Sequence, residues 1–259
     1  MLIIYRFLIN LIFLLSPLIL ILRLLKKKED VGRFKEKFCI FSKKRNSGKL
    51  LWFHGASVGE IQSITPLIEK LEKNKKIKTI LITSNTLSSS KIFQKLKLKK
   101  TIHQFFPIDT NFLIKKFLNY WKPSAAFFVD SEIWPNTIYN LDKNKIPIIL
   151  INGRITKSSF EKWKKLPSFS RDIFDKINLC FPSSKQSEKY LKQLGVKRIK
   201  FIGNLKFSQS ENEKITKSNN EIKRFIKNKK TWCASSTHNT EELLCGLVHK
   251  NLKKKYNNL

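Results

Sequence analysis

Two regimes of hydrophobic patterning divide the chain. Leu2 to Leu25 is apolar almost throughout, broken by Arg6, Asn10, Ser16, Pro17 and Arg23, and Lys26-Lys27-Lys28 follow at once. From Leu50 onward, short apolar runs alternate with stretches in which apolar residues recur at helical spacing. The runs predict strands from Leu50 to Phe53, Thr79 to Thr83, Ile102 to Phe106, Ala125 to Val129, Ile146 to Ile151, Ile177 to Phe181 and Ile199 to Ile202. Helices are predicted between them, from Glu60 to Lys73, Leu87 to Leu98, Asn111 to Tyr120, Ile133 to Asp142, Phe169 to Phe174 and Lys185 to Leu194. Such alternation specifies an α/β fold with a parallel sheet covered on both faces. Its ligands should gather at the carboxyl ends of the strands.

The segments around this body have their own characters. Residues 1–25 are long enough to span a bilayer, which takes roughly 20 apolar residues, although Pro17 and Arg23 make the span marginal. No small-residue cleavage pattern precedes the lysines, so an uncleaved anchor is expected rather than a secretory signal. Residues 26–49 form a basic connector with Gly32, Ser47 and Gly48 and a short helix around Arg33 to Phe38. Residues 208–230 are polar and lysine-rich, a linker with a helix at Glu221 to Ile226. Residues 231–259 open a new strand and helix: Thr231-Trp232-Cys233-Ala234, then Ser235-Ser236-Thr237-His238-Asn239-Thr240-Glu241-Glu242, then an apolar helix from Leu243.

Charge changes the picture by pointing to polyanions. Against 52 basic residues stand 19 acidic ones, a net charge of +33, which favours nucleic acid or an anionic membrane face. No RNA-binding aromatic motif, zinc-finger spacing or basic zipper accompanies it, so membrane ranks above nucleic acid. Compositional drift toward lysine is the alternative source of the charge. The lysines after the anchor place the body in the cytoplasm by the positive-inside rule. Cys39, Cys180, Cys233 and Cys245 lie far apart, and the four histidines form no H-E-x-x-H pattern, so neither a disulfide framework nor a metal site is expected.

Candidate chemistry lies at the strand exits. The first run breaks at His54-Gly55-Ala56-Ser57-Val58-Gly59, and Glu60 begins the helix. A carboxylate there either complements the helix dipole or acts as a base presented to a cleft. After the Ala125 to Val129 run come Asp130-Ser131-Glu132-Ile133-Trp134-Pro135-Asn136, and after Ile146 to Ile151 come Asn152-Gly153-Arg154. Gly203-Asn204-Leu205-Lys206 follow the last run. Helix capping, core packing and turn formation explain each group alone; a shared crevice explains all of them together. The hydroxyls and N–H groups of Ser235 to Thr237 suit a phosphate at a helix N-terminus, whereas a capping role for Asn239 or Thr240 explains the same letters without a ligand.

With these motifs in hand, the chain resembles the 3-deoxy-D-manno-octulosonic acid (Kdo) transferases of lipopolysaccharide assembly. The matching stretches are WFHGASVGE, FVDSEIWPN, INGRITKSSFEKWKKLP, FIGNLKF and WCASSTHNTEE, in the family's order and spacing. The resemblance implies a glycosyltransferase B fold, in which residues 50–207 are the Rossmann-like acceptor-binding domain and 231–259 the start of the nucleotide-sugar domain. It implies transfer of Kdo from CMP-Kdo to a lipid A precursor (lipid IVA) with inversion, at the cytoplasmic face of the inner membrane and its anionic lipids, with no cofactor, metal or nucleic acid. By the same resemblance Glu60 is the general base and Glu132 a second functional glutamate. Ser57 and Gly59 flank the base, and Asp130 has a supporting role. Arg154 and Lys206 balance the donor's charges. Ser235, Ser236, Thr237, His238 and Glu241 belong to the nucleotide loop, where Ser235 replaces a usual glycine and Asn239-Thr240 a common Glu-Gly pair. The family's later arginine, glycine-rich and asparagine-glutamate motifs have no counterpart before Leu259. A truncated donor domain is therefore expected, with a separate polypeptide as the partner that would supply it. The alternative is a catalytically incomplete half-protein that binds anionic glycolipid.

Overall fold

The computed structural model describes residues 1–95, 98–205, 224, 226–256 and 258–259. The chain divides into two compact units, Met1–Ser210 and Glu211–Leu259. The first opens with helix α1 (Leu2–Leu25) and a 3-10 turn (Phe34–Phe38). Strands and helices then alternate: β1 (Leu50–His54), α2 (Val58–Glu72), β2 (Thr79–Ser84), α3 (Leu87–Lys95), β3 (Thr101–Phe105), α4 (Asn111–Trp121) and β4 (Ala125–Val129). They continue as α5 (Pro135–Lys143), β5 (Ile148–Gly153), α6 (Lys157–Lys164), α7 (Pro167–Phe174), β6 (Leu179–Pro182) and α8 (Lys185–Leu194).

All strand pairs are parallel, and the sheet order is β3-β2-β1-β4-β5-β6. This is the doubly wound order whose winding reverses between β1 and β4, and such a reversal opens a crevice above the two strand ends. Every residue of β1 and β2 is buried, because a parallel sheet is covered on both faces and its central strands read as unbroken apolar runs. Alternate residues serve opposite layers. Leu50 and Trp52 join the core formed with α4, α5, α7 and α8, and Leu51 and Phe53 join the one formed with α2.

Three local expectations change. Ile199 to Ile202 does not add a seventh strand: Ile199 makes one isolated parallel bridge to Cys180, then Ile202 turns outward before Gly203, whose φ is +93°. Helix α6 lacks a sequence signature because Phe160 is its one buried residue. The connector is also more than a spacer. Glu36, in the 3-10 turn, is 1% exposed and accepts from the Phe105 backbone N–H at 2.8 Å while forming two 2.9 Å hydrogen bonds with Arg33.

The second unit contains helix α9 (Glu241–Lys255). Thr231 to Ala234 has no strand geometry. Of the expected linker helix, Glu221 to Lys223 and Phe225 lie outside the described residues, as does Lys206.

Candidate functional site

The crevice between β1 and β4 is built from two turns. In the first, Ser57 is the N-cap of α2 and its hydroxyl oxygen accepts from the Glu60 N–H at 3.3 Å. Glu60 folds back, so that Oε2 accepts from the Ala56 N–H at 2.7 Å and Oε1 from the Ser57 hydroxyl at 2.8 Å. The S-x-x-E spacing is that of a capping box, in which the third helical residue reaches back to orphan donors. Gly55 makes this possible: a Cβ there would stand 3.2 Å from the Glu60 Cβ and 3.1 Å from Ile61 Cδ1. Gly59 faces open space, with nothing within 4 Å of where its Cβ would be. Burial pushes the Glu60 carboxyl above the ordinary range, and the charges of Glu132 and Asp130 push the same way against the lowering effect of Ser57 and Ala56. The turn is thus both a helix cap and a place where a carboxylate holds its proton more tightly.

In the second turn Glu132 is fixed from two sides. Its Oε2 accepts from the Trp134 indole at 2.8 Å and lies 3.1 Å from His54 Nε2. His54 closes β1 with no exposed surface, and its ring stacks on Phe106 at 4.0 Å between centroids. The Trp52 indole donates to Thr83 Oγ1 at 2.9 Å, and Thr83 Oγ1 lies 2.9 Å from His54 Nδ1. His54 Nδ1 also lies 3.2 Å from the Thr83 carbonyl oxygen, so the ring is held from both sides with Nε2 aimed at Glu132. Burial alone would raise the Glu132 carboxyl, but His54 and Trp134 bring it below the ordinary range. Among the described residues, its Oε1 has no hydrogen-bond partner. His54→Phe keeps the stacking and removes the donor, so the Glu132 carboxyl should titrate higher. Carboxyl-carbon NMR of labelled Glu132 against pH checks this, and an unmoved titration would remove His54 as its anchor.

Asp130 and Asn152 complete the rim. Both have left-handed φ, +56° and +54°, and the Asn152 amide donates to Asp130 Oδ1. Asn152 Oδ1 accepts from the Leu205 N–H at 3.3 Å, and Asp130 O from the Arg154 N–H at 3.1 Å. Beside them lies a cavity of about 390 Å³ lined by Asp130, Asn152, Arg154, Ser183, Ser184 and Asn204 among others. Glu60, Ser57, Gly59, Glu132, Asp130 and Arg154 therefore all lie at the carboxyl ends of β1, β4 and β5. In the second unit, Ser235, Ser236, Thr237, His238 and Glu241 are solvent-facing or half-buried. The Glu241 carboxylate accepts from the His238 N–H at 2.8 Å, whereas the Thr240 side chain, at the N-cap, makes no capping bond. No cluster of metal-ligating side chains exists among the described residues.

The sequence profile of the family described as 3-deoxy-D-manno-octulosonic-acid transferase (kdotransferase) matches residues 32–209. The chain belongs to the Kdo transferase family. The 3-deoxy-D-manno-octulosonic acid transferase of Rickettsia bellii is 36% identical over 93% of this chain and 58% of its own length. The transferase of the same name from Haemophilus influenzae is 27% identical over 81% of this chain and 50% of its own length. The chain thus spans about half the length of these curated relatives. Among solved structures, UDP-GlcNAc 2-epimerase from Neisseria meningitidis bound to UDP-GlcNAc superposes with a TM-score of 0.55 at 16% identity, covering 82% of this chain and 63% of that one. That likeness concerns the fold, which is Rossmann-like and of the glycosyltransferase B kind. Within the family region, the SVGE and SEIWPN stretches are the two turns at the winding reversal, where the sheet opens.

His54 is the functional candidate that sequence reasoning passed over as a site residue. Its signal was a polar side chain ending an otherwise apolar buried strand, just before the turn.

Proposed function

We propose that the chain is the acceptor-binding half of a glycosyltransferase that moves Kdo from CMP-Kdo to the distal glucosamine 6-hydroxyl of a lipid A precursor. In this reading the hydroxyl oxygen attacks the anomeric carbon of Kdo from the face opposite CMP. The new C–O bond forms as the bond to the phosphate oxygen breaks, CMP departs with that electron pair, and the hydroxyl proton passes to Glu60. Glu132 stays ionised, and its Oε1 accepts from an acceptor sugar hydroxyl. Arg154 and Lys206 counter the donor's carboxylate and phosphate. The acceptor comes from the inner membrane, to which α1, by length and composition able to cross it, attaches the protein.

One observation carries the reading: two carboxylates at one winding reversal have protonation equilibria pushed in opposite directions, Glu60 up and Glu132 down. Divergence of this kind supports Glu60 as the proton acceptor and Glu132 as a fixed charge. The test is transfer from CMP-Kdo to the tetraacylated acceptor in micelles, with this chain and a polypeptide carrying the nucleotide-sugar half. Release of CMP that requires both polypeptides supports the reading, and failure of this chain to bind the acceptor overturns it.

The rate should also depend on pH with a stated sign. A base whose carboxyl is raised loses activity as pH falls through that raised value, so the acid limb should lie above the usual glutamate range. A limb at or below that range would contradict the assignment.

A further inference from the structure

We infer that α1 lies along the surface of an anionic phospholipid leaflet and does not cross it. The positions of α1 that are not fully exposed run from Leu2 through Tyr5, Ile9, Phe13, Ser16 and Leu20 to Leu24, with Arg6 and Arg23 among them. At 100° per residue they all fall within one arc of about 100°. The helix is therefore laid against the first unit along about 33 Å of its axis, at 1.5 Å per residue.

Polar bonds hold the N-terminal half. The Tyr5 hydroxyl donates to Asp109 Oδ2 at 2.7 Å, and Arg6 Nε donates to Asn136 Oδ1 at 3.0 Å. Farther along, Phe13 meets Phe112 edge-on at 5.1 Å, and beyond the buried Ser16 and Leu20, Arg23 pairs with the buried Glu29 at 2.5 Å. A crossing helix needs about 20 residues clear of the water-facing body. To free that many, the bonds of Tyr5 and Arg6 and the packing of Phe13, Ser16 and Leu20 would have to break, and Asp109 would lose a partner.

The remaining face of α1 presents Ile3, Phe7, Leu14, Leu18, Ile21 and Leu25, each more than half exposed. Apart from Asn10 at its edge, that face carries no polar side chain. An apolar strip of this length marks a surface that some partner covers. Charge complementarity selects the leaflet: Lys26, Lys27 and Lys28 are exposed beside the strip, and the chain carries +33 overall. Interfacial helices sink such a face to about 5–10 Å below the headgroups while their charges stay above.

This orientation also links the leaflet to the crevice. Asp109, which takes the Tyr5 bond, accepts from the backbone N–H groups of Asn136 and Thr137 at 3.0 and 2.9 Å, in the first turn of α5 and close behind Glu132. The acceptor turn is thus tied to the membrane helix through one buried carboxylate. Relevance to a lipid-linked acceptor rests on the function proposed above; the orientation of α1 does not.

Depth measurement tests it on the full chain. Cys233 and Cys245 are replaced by serine, the buried Cys39 and Cys180 are kept, and a single cysteine is introduced at Ile3, Leu14 or Leu25. Each variant carries a fluorophore and is bound to sealed vesicles of phosphatidylethanolamine and phosphatidylglycerol holding quenchers at graded depths. All three positions should report one shallow depth in the outer leaflet. A mid-bilayer Leu14→Cys with Ile3→Cys reached by an impermeant maleimide from the vesicle lumen would overturn the inference. Leu14→Asp with Leu18→Asp should weaken vesicle binding at least about tenfold, given two exposed leucines lost from the buried strip. Unchanged vesicle binding, or association of two copies through α1 in place of it, would overturn it as well. None of these readouts depends on transfer activity, so either proposal can fail alone.

Discussion

Glu60→Gln is expected to lower the rate of Kdo transfer about 10²–10⁴-fold, the usual worth of a positioned general base, while acceptor affinity stays near that of the parent. The amide preserves the shape of the turn: its oxygen accepts from the Ala56 N–H, and its NH₂ reaches the Ser57 oxygen in place of the carboxylate contacts. Helix α2 therefore keeps its cap, and a loss of rate cannot be assigned to a loosened fold. The acid limb of the pH profile should vanish in the same variant, because the titrating group is gone. Rate and acceptor affinity measured side by side decide the matter. A rate within about threefold of the parent would leave Glu60 as a capping residue and nothing more. Glu60→Ala is the less informative change, since it also removes the back-reaching half of the capping box.

Asp109→Ala is expected to cost on the order of 3 kcal/mol or more of unfolding free energy. Asp109 is 1% exposed and accepts from Tyr5, from the Asn136 and Thr137 backbone and from the Thr137 hydroxyl at 2.5 Å. Removing the carboxylate strands several buried donors, each worth about 1–3 kcal/mol when left unsatisfied. The pH dependence has a definite sign. Burial pushes the Asp109 carboxyl up from 3.8 to about 6, so the native state binds this proton more tightly than the unfolded chain does. Between those values the native state carries more of the proton, and stability from this group falls as pH rises. Urea unfolding at a series of pH values should show that slope in the parent and lose it in Asp109→Ala. A midpoint equal to the parent's would mean that the α5 N-terminus and α1 are held by other contacts.

Legibility varied with how local the determining interaction is. The Ala125 to Val129 strand and the Lys185 to Leu194 helix agree with the sequence reading at both ends, since a short β-rich run, or a helical repeat with Ser184 as cap and Gly195 as stop, needs little outside itself. Helix α5 starts at Pro135 rather than Ile133, because Glu132 and Trp134 are engaged in their own hydrogen bond and Pro135 takes the first helical position. The pairing of Glu132 with His54 spans 78 positions in the chain and has no local sign. The apolar stretch of α1 had the same limit: length and composition allow a span, and only the contacts of Tyr5, Arg6 and Arg23 reveal a helix laid on the body.

What the amino-acid order determined by itself is the succession of buried strands and covering helices, the capping letters of the first turn, and the placement of acidic residues at strand exits. These follow from periodicity and from bonds reaching three or four residues. Only the tertiary structure decided which of two similar glutamates has its carboxyl pushed up and which has it pushed down. A carboxyl's equilibrium depends on water removed and on charges and donors brought near through space, and the groups that hold Glu132 and crowd Glu60 arrive from separate strands.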